Sequence, residues 1–213
     1  ARRRACVNEV QLNRRTAPDQ YLGVVPLTYD KARGLEISGS GEVVEWAVKM
    51  RRFPEGALYS ELAAADRLGR EDYAELARAV HTFHDAAARR IEPGRAVAAL
   101  SELIAQNDAA FAHYPDVFAP DQVRTLRMDL EARLAELTPL LEQRTREGFV
   151  RHCHGDLHLR NVVRIDGHPV LFDAVEFDDA IATVDVLDDL AFLLMDLIAR
   201  DADSGVLLWK VPL

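Results

Sequence analysis

Cysteine is scarce in this chain: Cys6 and Cys153 are the only two in 213 residues. Two thiols make no disulfide framework, and neither sits in the paired Cys-x-x-Cys spacing of a structural zinc site, so a reducing cytoplasm is the expected setting. Basic residues are outnumbered, 26 against 35 acidic ones, and the resulting net charge of -9 excludes a general nucleic-acid binder, whose affinity comes largely from Lys and Arg neutralising phosphates. No apolar run reaches the roughly 18 residues of a membrane-spanning helix, and no apolar stretch follows the basic N-terminus as a secretion signal would require. Internal repeats and low-complexity tracts are missing too. So is an initiator methionine: the chain opens at Ala1 inside a helical pattern, and a fragment of a longer protein is expected.

What is present is unevenly distributed. Residues 2 to 15 are basic, through Arg2, Arg3, Arg4, Arg14 and Arg15, whereas Asp173 to Asp203 is strongly acidic, a composition that suits a divalent cation. A weak amphipathic helix over 2–15 ends at Ala17-Pro18-Asp19. Strand-like runs at Tyr21 to Tyr29, Leu35 to Ile37 and Val43 to Met50 are separated by turns, which predicts a small antiparallel meander. Helical periodicity then dominates for nearly a hundred residues. Val80, Phe83 and His84 mark one helix and Leu100, Leu103, Ile104 and Phe111 another. Val123, Leu126, Leu130, Leu134, Leu137 and Leu141 mark a long one, bent near its end by Pro139. All these stripes are expected to be core. Val162 to Ile165, Asp166-Gly167 and Pro169 to Phe172 read as a hairpin, since Asp-Gly suits a tight turn with positive φ. A final helix is expected from an Asp185 cap, with Val186, Leu190, Leu193, Leu194 and Leu197 on one face.

The most informative run is His152-Cys153-His154-Gly155-Asp156-Leu157-His158-Leu159-Arg160-Asn161, followed twelve residues on by Asp173 at the end of the hairpin. A loop offering Asp156 and, five residues later, Asn161 can aim a carboxylate at a substrate hydroxyl and an amide oxygen at a metal. Asp173 adds a carboxylate to hold magnesium across nucleotide phosphates. A capping Asp or a turn Asn explains any one of these singly, but not their joint spacing.

His154-Gly155-Asp156-Leu157-His158-x-x-Asn161, a hairpin and then Phe172-Asp173 resembles the catalytic loop and metal-binding segment of the aminoglycoside phosphotransferase and choline kinase-like superfamily. Phe172-Asp173-Ala174-Val175-Glu176-Phe177 and the later Asp189-Leu190-Ala191-Phe192-Leu193-Leu194-Met195-Asp196-Leu197 are similar to a bacterial aminoglycoside phosphotransferase-like subfamily often fused to a P-loop ATP-binding domain.

The resemblance implies an α+β, protein-kinase-like two-lobed fold. A partial N-lobe sheet with helix C and the hinge would occupy residues 1–52, and a mainly helical C-lobe with a catalytic hairpin residues 53–213. It implies an ATP-dependent phosphotransferase acting on a hydroxyl of a small molecule, with Asp156 as catalytic base or hydroxyl-orienting residue, Asn161 and Asp173 as magnesium ligands, and His154 as loop support. His158 and Glu176 are second-tier candidates. Glu9 becomes the helix C carboxylate, and Lys49, Met50 and Arg51 the hinge that meets adenine. The family's glycine-rich strand pair and phosphate-binding lysine precede helix C, where this sequence begins.

Two rival readings stand beside it. One is a truncated or degenerate, non-catalytic kinase-like module. The other is a metal-dependent hydrolase built on His152, His154 and His158 with Asp156. Asp178, Asp179, Asp188 and Asp189 are expected to be caps, solvated charges and ion pairs, and Cys153 a small buried filler.

Overall fold

The computed structural model describes residues 2–204. The fold is mixed α and β with small antiparallel sheets. Helix α1 (Arg2–Asn13) precedes strands β1 (Tyr21–Asp30), β2 (Gly34–Ile37) and β3 (Glu42–Met50). Helices α2 (Tyr59–Ala64), α3 (Arg70–Ala86), α4 (Arg95–Ala112) and α5 (Pro120–Glu147) follow, then β4 (Val150–His152). A 3-10 turn at Leu159–Asn161 leads into β5 (Val162–Ile165) and β6 (His168–Leu171). The short α6 (Asp179–Ala182), β7 (Thr183–Asp185) and α7 (Val186–Ser204) complete the described chain. No helix among the described residues is long and apolar enough to cross a membrane.

The three N-terminal strands lie where their residue patterns place them, but not as a meander. Their order is β2-β1-β3, with β1 central and antiparallel to both neighbours. β2 is only four residues long, and Gly39-Ser40-Gly41 carries the chain back past it to the opposite edge of β1. The crossing is so close that a Cβ on Gly41 would lie 2.2 Å from the Tyr29 carbonyl oxygen. The β5–β6 hairpin forms as its sequence predicts, with Asp166 at φ 50° and Gly167 at φ 88°. Both turn residues therefore have positive φ, as a primed two-residue turn requires.

The chain divides into two compact units. The first comprises residues up to 87, residues 153–182 and the chain from 186; the second comprises 88–152 and 183–185. The first contains the main core, where Tyr59, Leu62, Leu76, Val80, Phe83 and Leu193 meet Leu157, Leu159, Val162 and Leu171. A second cluster of Val10, Ala17 and Tyr21, backed by Met50, Val170 and Phe172, joins α1 to the sheet and hairpin. On α7 only part of the predicted apolar face is inside. Leu193 is buried and Leu197 packs on the core, while Leu190 and Leu194 are exposed.

In the second unit α4 packs on α5, and β4 pairs with β7. The expectation that these helices are core is corrected here. Ala96 and Thr145 are their only fully buried residues, and Leu103, Leu126 and Leu130 are all exposed. Two helices packed on each other shield a single seam, which leaves much of each apolar stripe in solvent. α5 continues through Pro139 to an αL cap at Gly148. Asp185 ends β7, and its carboxylate receives both Arg144 Nε (2.6 Å) and Nη2 (2.7 Å).

Candidate functional site

The loop from Cys153 to Asn161 is pinned at both ends by one helix. Asp189 of α7 accepts the backbone N–H groups of His154 (2.8 Å) and Gly155 (2.9 Å), and its Oδ2 lies 3.1 Å from His84 Nε2. Asp196, two turns further along α7, accepts the Leu159 N–H at 2.9 Å. Between these anchors Leu157 and Leu159 sink completely into the core. Gly155 is required on two counts. Its φ is +81°, and a Cβ there would stand 3.2 Å from Val175 and 3.3 Å from Ala182.

Burial by itself would raise the Asp189 carboxyl, but the donors from His84, His154 and Gly155 outweigh that and hold it below the ordinary carboxylate range. His154 is fully enclosed, and burial pushes its imidazole below the usual value of 6.5. The ring is therefore neutral. Its Nε2 lies 2.9 Å from the Phe172 carbonyl, which can only accept, so the proton sits on Nε2 and donates there. This bond ties the loop to the residue before Asp173.

Within the loop, Asn161 Nδ2 donates to the Asp156 carbonyl (2.9 Å) and to Asp156 Oδ2 (3.2 Å), which leaves Oδ1 as the accepting end of the amide. His158 Nε2 stands 3.5 Å from the same Asp156 oxygen. The Asp156 side chain is 47% exposed, open to an incoming group. Asn161 also reaches the hairpin through its backbone, its carbonyl accepting the Phe172 N–H at 3.0 Å.

Asp173 follows in the left-handed region, with φ 64°, unusual for a residue other than glycine. Its N–H donates to the Tyr21 hydroxyl (3.1 Å), the next N–H, of Ala174, donates to Asn13 Oδ1 (2.8 Å), and that of Val175 donates to the His154 carbonyl (2.9 Å). Asn13 and Tyr21 are themselves buried, so the end of α1 and the start of β1 clamp the Asp173 turn. Glu9 lies on the same helix, four residues before Asn13. Burial, then the neighbouring carboxylates of Glu176 and Asp173, raise its pKa. Glu9, Asp173 and Glu176 are thus electrostatic neighbours.

Asp156, Asn161, His154, His158, Asp173, Glu176 and Glu9 all belong to the first unit, and the loop, hairpin and α1 link them. Lys49, Met50 and Arg51 follow a different pattern. Lys49 and Met50 pair with Gly23 and Tyr21 at the end of β3, and Met50 packs on the Val10–Tyr21 cluster. The Arg51 N–H is taken by the Gln20 carbonyl at 2.8 Å, which removes it as a donor to an adenine. Phe53, two residues on, packs edge-on against Phe172 with centroids 4.7 Å apart.

His152, His154 and His158 do not converge as ligands. Among the described residues the group of three whose ligand atoms come together is His84, Cys153 and Asp189. There Asp189 already accepts three donors, and the Arg15 cation is close enough to interact with it.

Asp189, expected among caps, solvated charges and ion pairs, is the buried anchor of the loop, paired with His84 and holding two backbone N–H groups. Its position had a readable signal. Asp189 and Asp196 fall on the helical stripe of Val186, Leu193 and Leu197, and a carboxylate on an apolar stripe calls for buried donors. The contribution of Asn13 and Tyr21 had no such signal, because it depends on which side of α1 the hairpin returns to.

Two uncharacterized proteins, from Mycobacterium tuberculosis and Mycobacterium bovis, are each 30% identical to the chain over 199 residues, covering 92% of it. The chain spans 38% of the length of these relatives. No protein-family profile matches the chain, and no solved structure matches it.

Proposed function

We propose that the chain carries the catalytic machinery of an ATP-dependent phosphotransferase that phosphorylates a hydroxyl of a small molecule, in a protein-kinase-like arrangement resembling the aminoglycoside phosphotransferases. The observation that carries this reading is the hydrogen-bonded Asp156–Asn161 pair joined to Asp173 through the Asn161 carbonyl and the Phe172 N–H. Asp156, exposed at the loop, accepts the proton of the acceptor hydroxyl. The acceptor oxygen bonds to the γ-phosphorus as the bond to the β,γ-bridging oxygen breaks and ADP departs. His154, Asp189 and Asp196 hold the loop so that Asp156 stays in place, and positioning supplies much of the barrier reduction in such reactions.

Asn161 Oδ1 and the Asp173 carboxylate are hard oxygen donors of the kind magnesium takes, and the mutually repelling Glu9, Asp173 and Glu176 carboxylates favour a cation beside them. When bound, magnesium would neutralise negative charge on the nucleotide phosphates. Both cysteines are free thiols, which suits a reducing cytoplasm. The length of the relatives beyond the matched portion leaves room for a P-loop ATP-binding domain in the whole protein.

A non-catalytic kinase-like module is the second reading. One observation favours it: the Arg51 N–H, in the segment expected to meet adenine, already donates to the Gln20 carbonyl.

Calorimetric titration of magnesium–ATP separates the two. Magnesium-dependent binding to the chain that disappears in Asp173→Ala supports the phosphotransferase. A folded chain that binds no magnesium–ATP, in parallel with a mycobacterial relative that binds none either, overturns it.

A further inference from the structure

The turn that follows α1, one face of α3 and strand β6 line an open groove of about 580 Å³, on residues that the proposed phosphoryl transfer does not use. Its existence follows from side-chain size. Positions 79, 82, 83 and 86 share one face of α3 by their spacing, and two of them are alanines that leave space unfilled. Phe83 and Leu171, both buried, form an apolar floor.

The rim is cationic. Arg15 and Arg78 line the groove with the hydroxyl-bearing Thr16 and Thr82, and none of its lining residues is acidic, in a chain whose net charge is -9. Arg15 is a fixed charge. Its Nε donates to the Leu12 carbonyl (2.9 Å), its Nη2 to the Cys153 carbonyl (3.2 Å), and its guanidinium lies 5.0 Å from the centre of the Phe83 ring. Arg78 is exposed and makes no ion pair among the described residues, so its donors are available to a ligand.

We propose that this groove binds a small amphipathic anion, whose carboxylate or phosphate head meets Arg78 and Thr82 while its apolar body lies on Phe83 and Leu171. The volume falls in the range of small-molecule pockets, so a compact ligand fits it. Charge complementarity selects an anion, because a guanidinium forms its strongest hydrogen bonds with oxyanions. Occupancy is felt at the 153–161 loop. The Phe83 ring stands edge-on to His154 with centroids 6.5 Å apart, Arg15 holds the Cys153 carbonyl, and Leu171 precedes the Phe172 carbonyl that His154 bonds.

The test is a backbone-amide NMR titration of the whole chain with decanoate, and with decylamine and decanol as head-group controls, on wild type, Arg78→Glu and Ala86→Trp. Decanoate should give saturable shifts at Thr16, Thr82 to Ala87 and Leu171, with the signals of His154 following. Arg78→Glu should weaken the binding about tenfold or more, and Ala86→Trp should block it, while the unliganded spectra keep their dispersion. The proposal is overturned if decanoate produces no shifts, if decylamine or decanol shifts the same amides equally, if the shifts fall instead on the exposed apolar face of α7, or if neither variant changes the affinity.

Discussion

Asp189 and His154 show how a single buried titratable group ties the loop to conditions in solution. The Asp189 carboxyl is held below its ordinary range, so its contribution to stability is present above that range and is lost as pH falls through the depressed folded value. Asp189→Ala leaves the His154 and Gly155 N–H groups and His84 without their acceptor and should cost about 3–5 kcal/mol, measured by urea denaturation at neutral pH. His154 acts in the same direction. Its folded pKa lies below 6.5, so stability declines as pH drops below that ordinary imidazole value, and His154→Gln should flatten the denaturation midpoint between about pH 6.5 and 5. An unchanged slope in that variant would mean that His154 is not the titrating group.

Glu9 has the opposite sign. Its folded pKa is raised, so it favours folding only below the ordinary carboxylate range and disfavours it as pH rises through the folded value. Glu9→Gln should therefore raise the melting temperature by about 1–2 °C at pH 7 and by nothing near pH 4, a difference that paired thermal melts would detect. At the same scale, Asn13→Ala leaves the buried Ala174 N–H unsatisfied and should destabilise by about 1–3 kcal/mol in urea denaturation, with Asp173 released from its turn.

Elements act here as levers for those residues. α7 carries two carboxylates a heptad apart, Asp189 and Asp196, and so grips the loop at His154-Gly155 and again at Leu159. α1 serves through its last turn, where Asn13 holds the residue after Asp173, and β1 through its first residue, Tyr21. The β5–β6 hairpin delivers Asp173 in register because Asp166 and Gly167 adopt the positive φ values its turn demands. Gly155 leaves little room for a side chain. Gly155→Ala adds a Cβ at 3.2 Å from Val175 to a residue at φ +81°, and should destabilise by about 2–4 kcal/mol, read from chemical denaturation. A neutral outcome would show that the loop can re-form around a different backbone.

At the scale of the molecule, apolar burial among the described residues is concentrated in one unit. Loop, hairpin, α2, α3 and α7 share a core of ten buried residues, whereas α4 and α5 contribute only Ala96 and Thr145 as fully buried positions. Few buried contacts mean a low local opening energy. Hydrogen exchange followed by mass spectrometry should find the α4–α5 amides exchanging well before those of α3 and β6; equal protection would contradict this distribution. The same contrast separates what was legible in the residues from what was not. Strand and helix positions, the Asp-Gly turn and the Asp156–Asn161–Asp173 spacing rest on periodicity and turn chemistry, which are local and survive in any context. The order β2-β1-β3, the exposure of the α4–α5 leucines, the identity of the donors that meet Asp189 and the clamp of Asn13 and Tyr21 on the Asp173 turn could not be read that way. Each depends on which distant segment arrives at a given face. Asp189 reaches across 35 residues to His154, and Asn13 across 161 to Ala174. Contacts of that span are set by how the whole chain packs, and local sequence carries almost no trace of them.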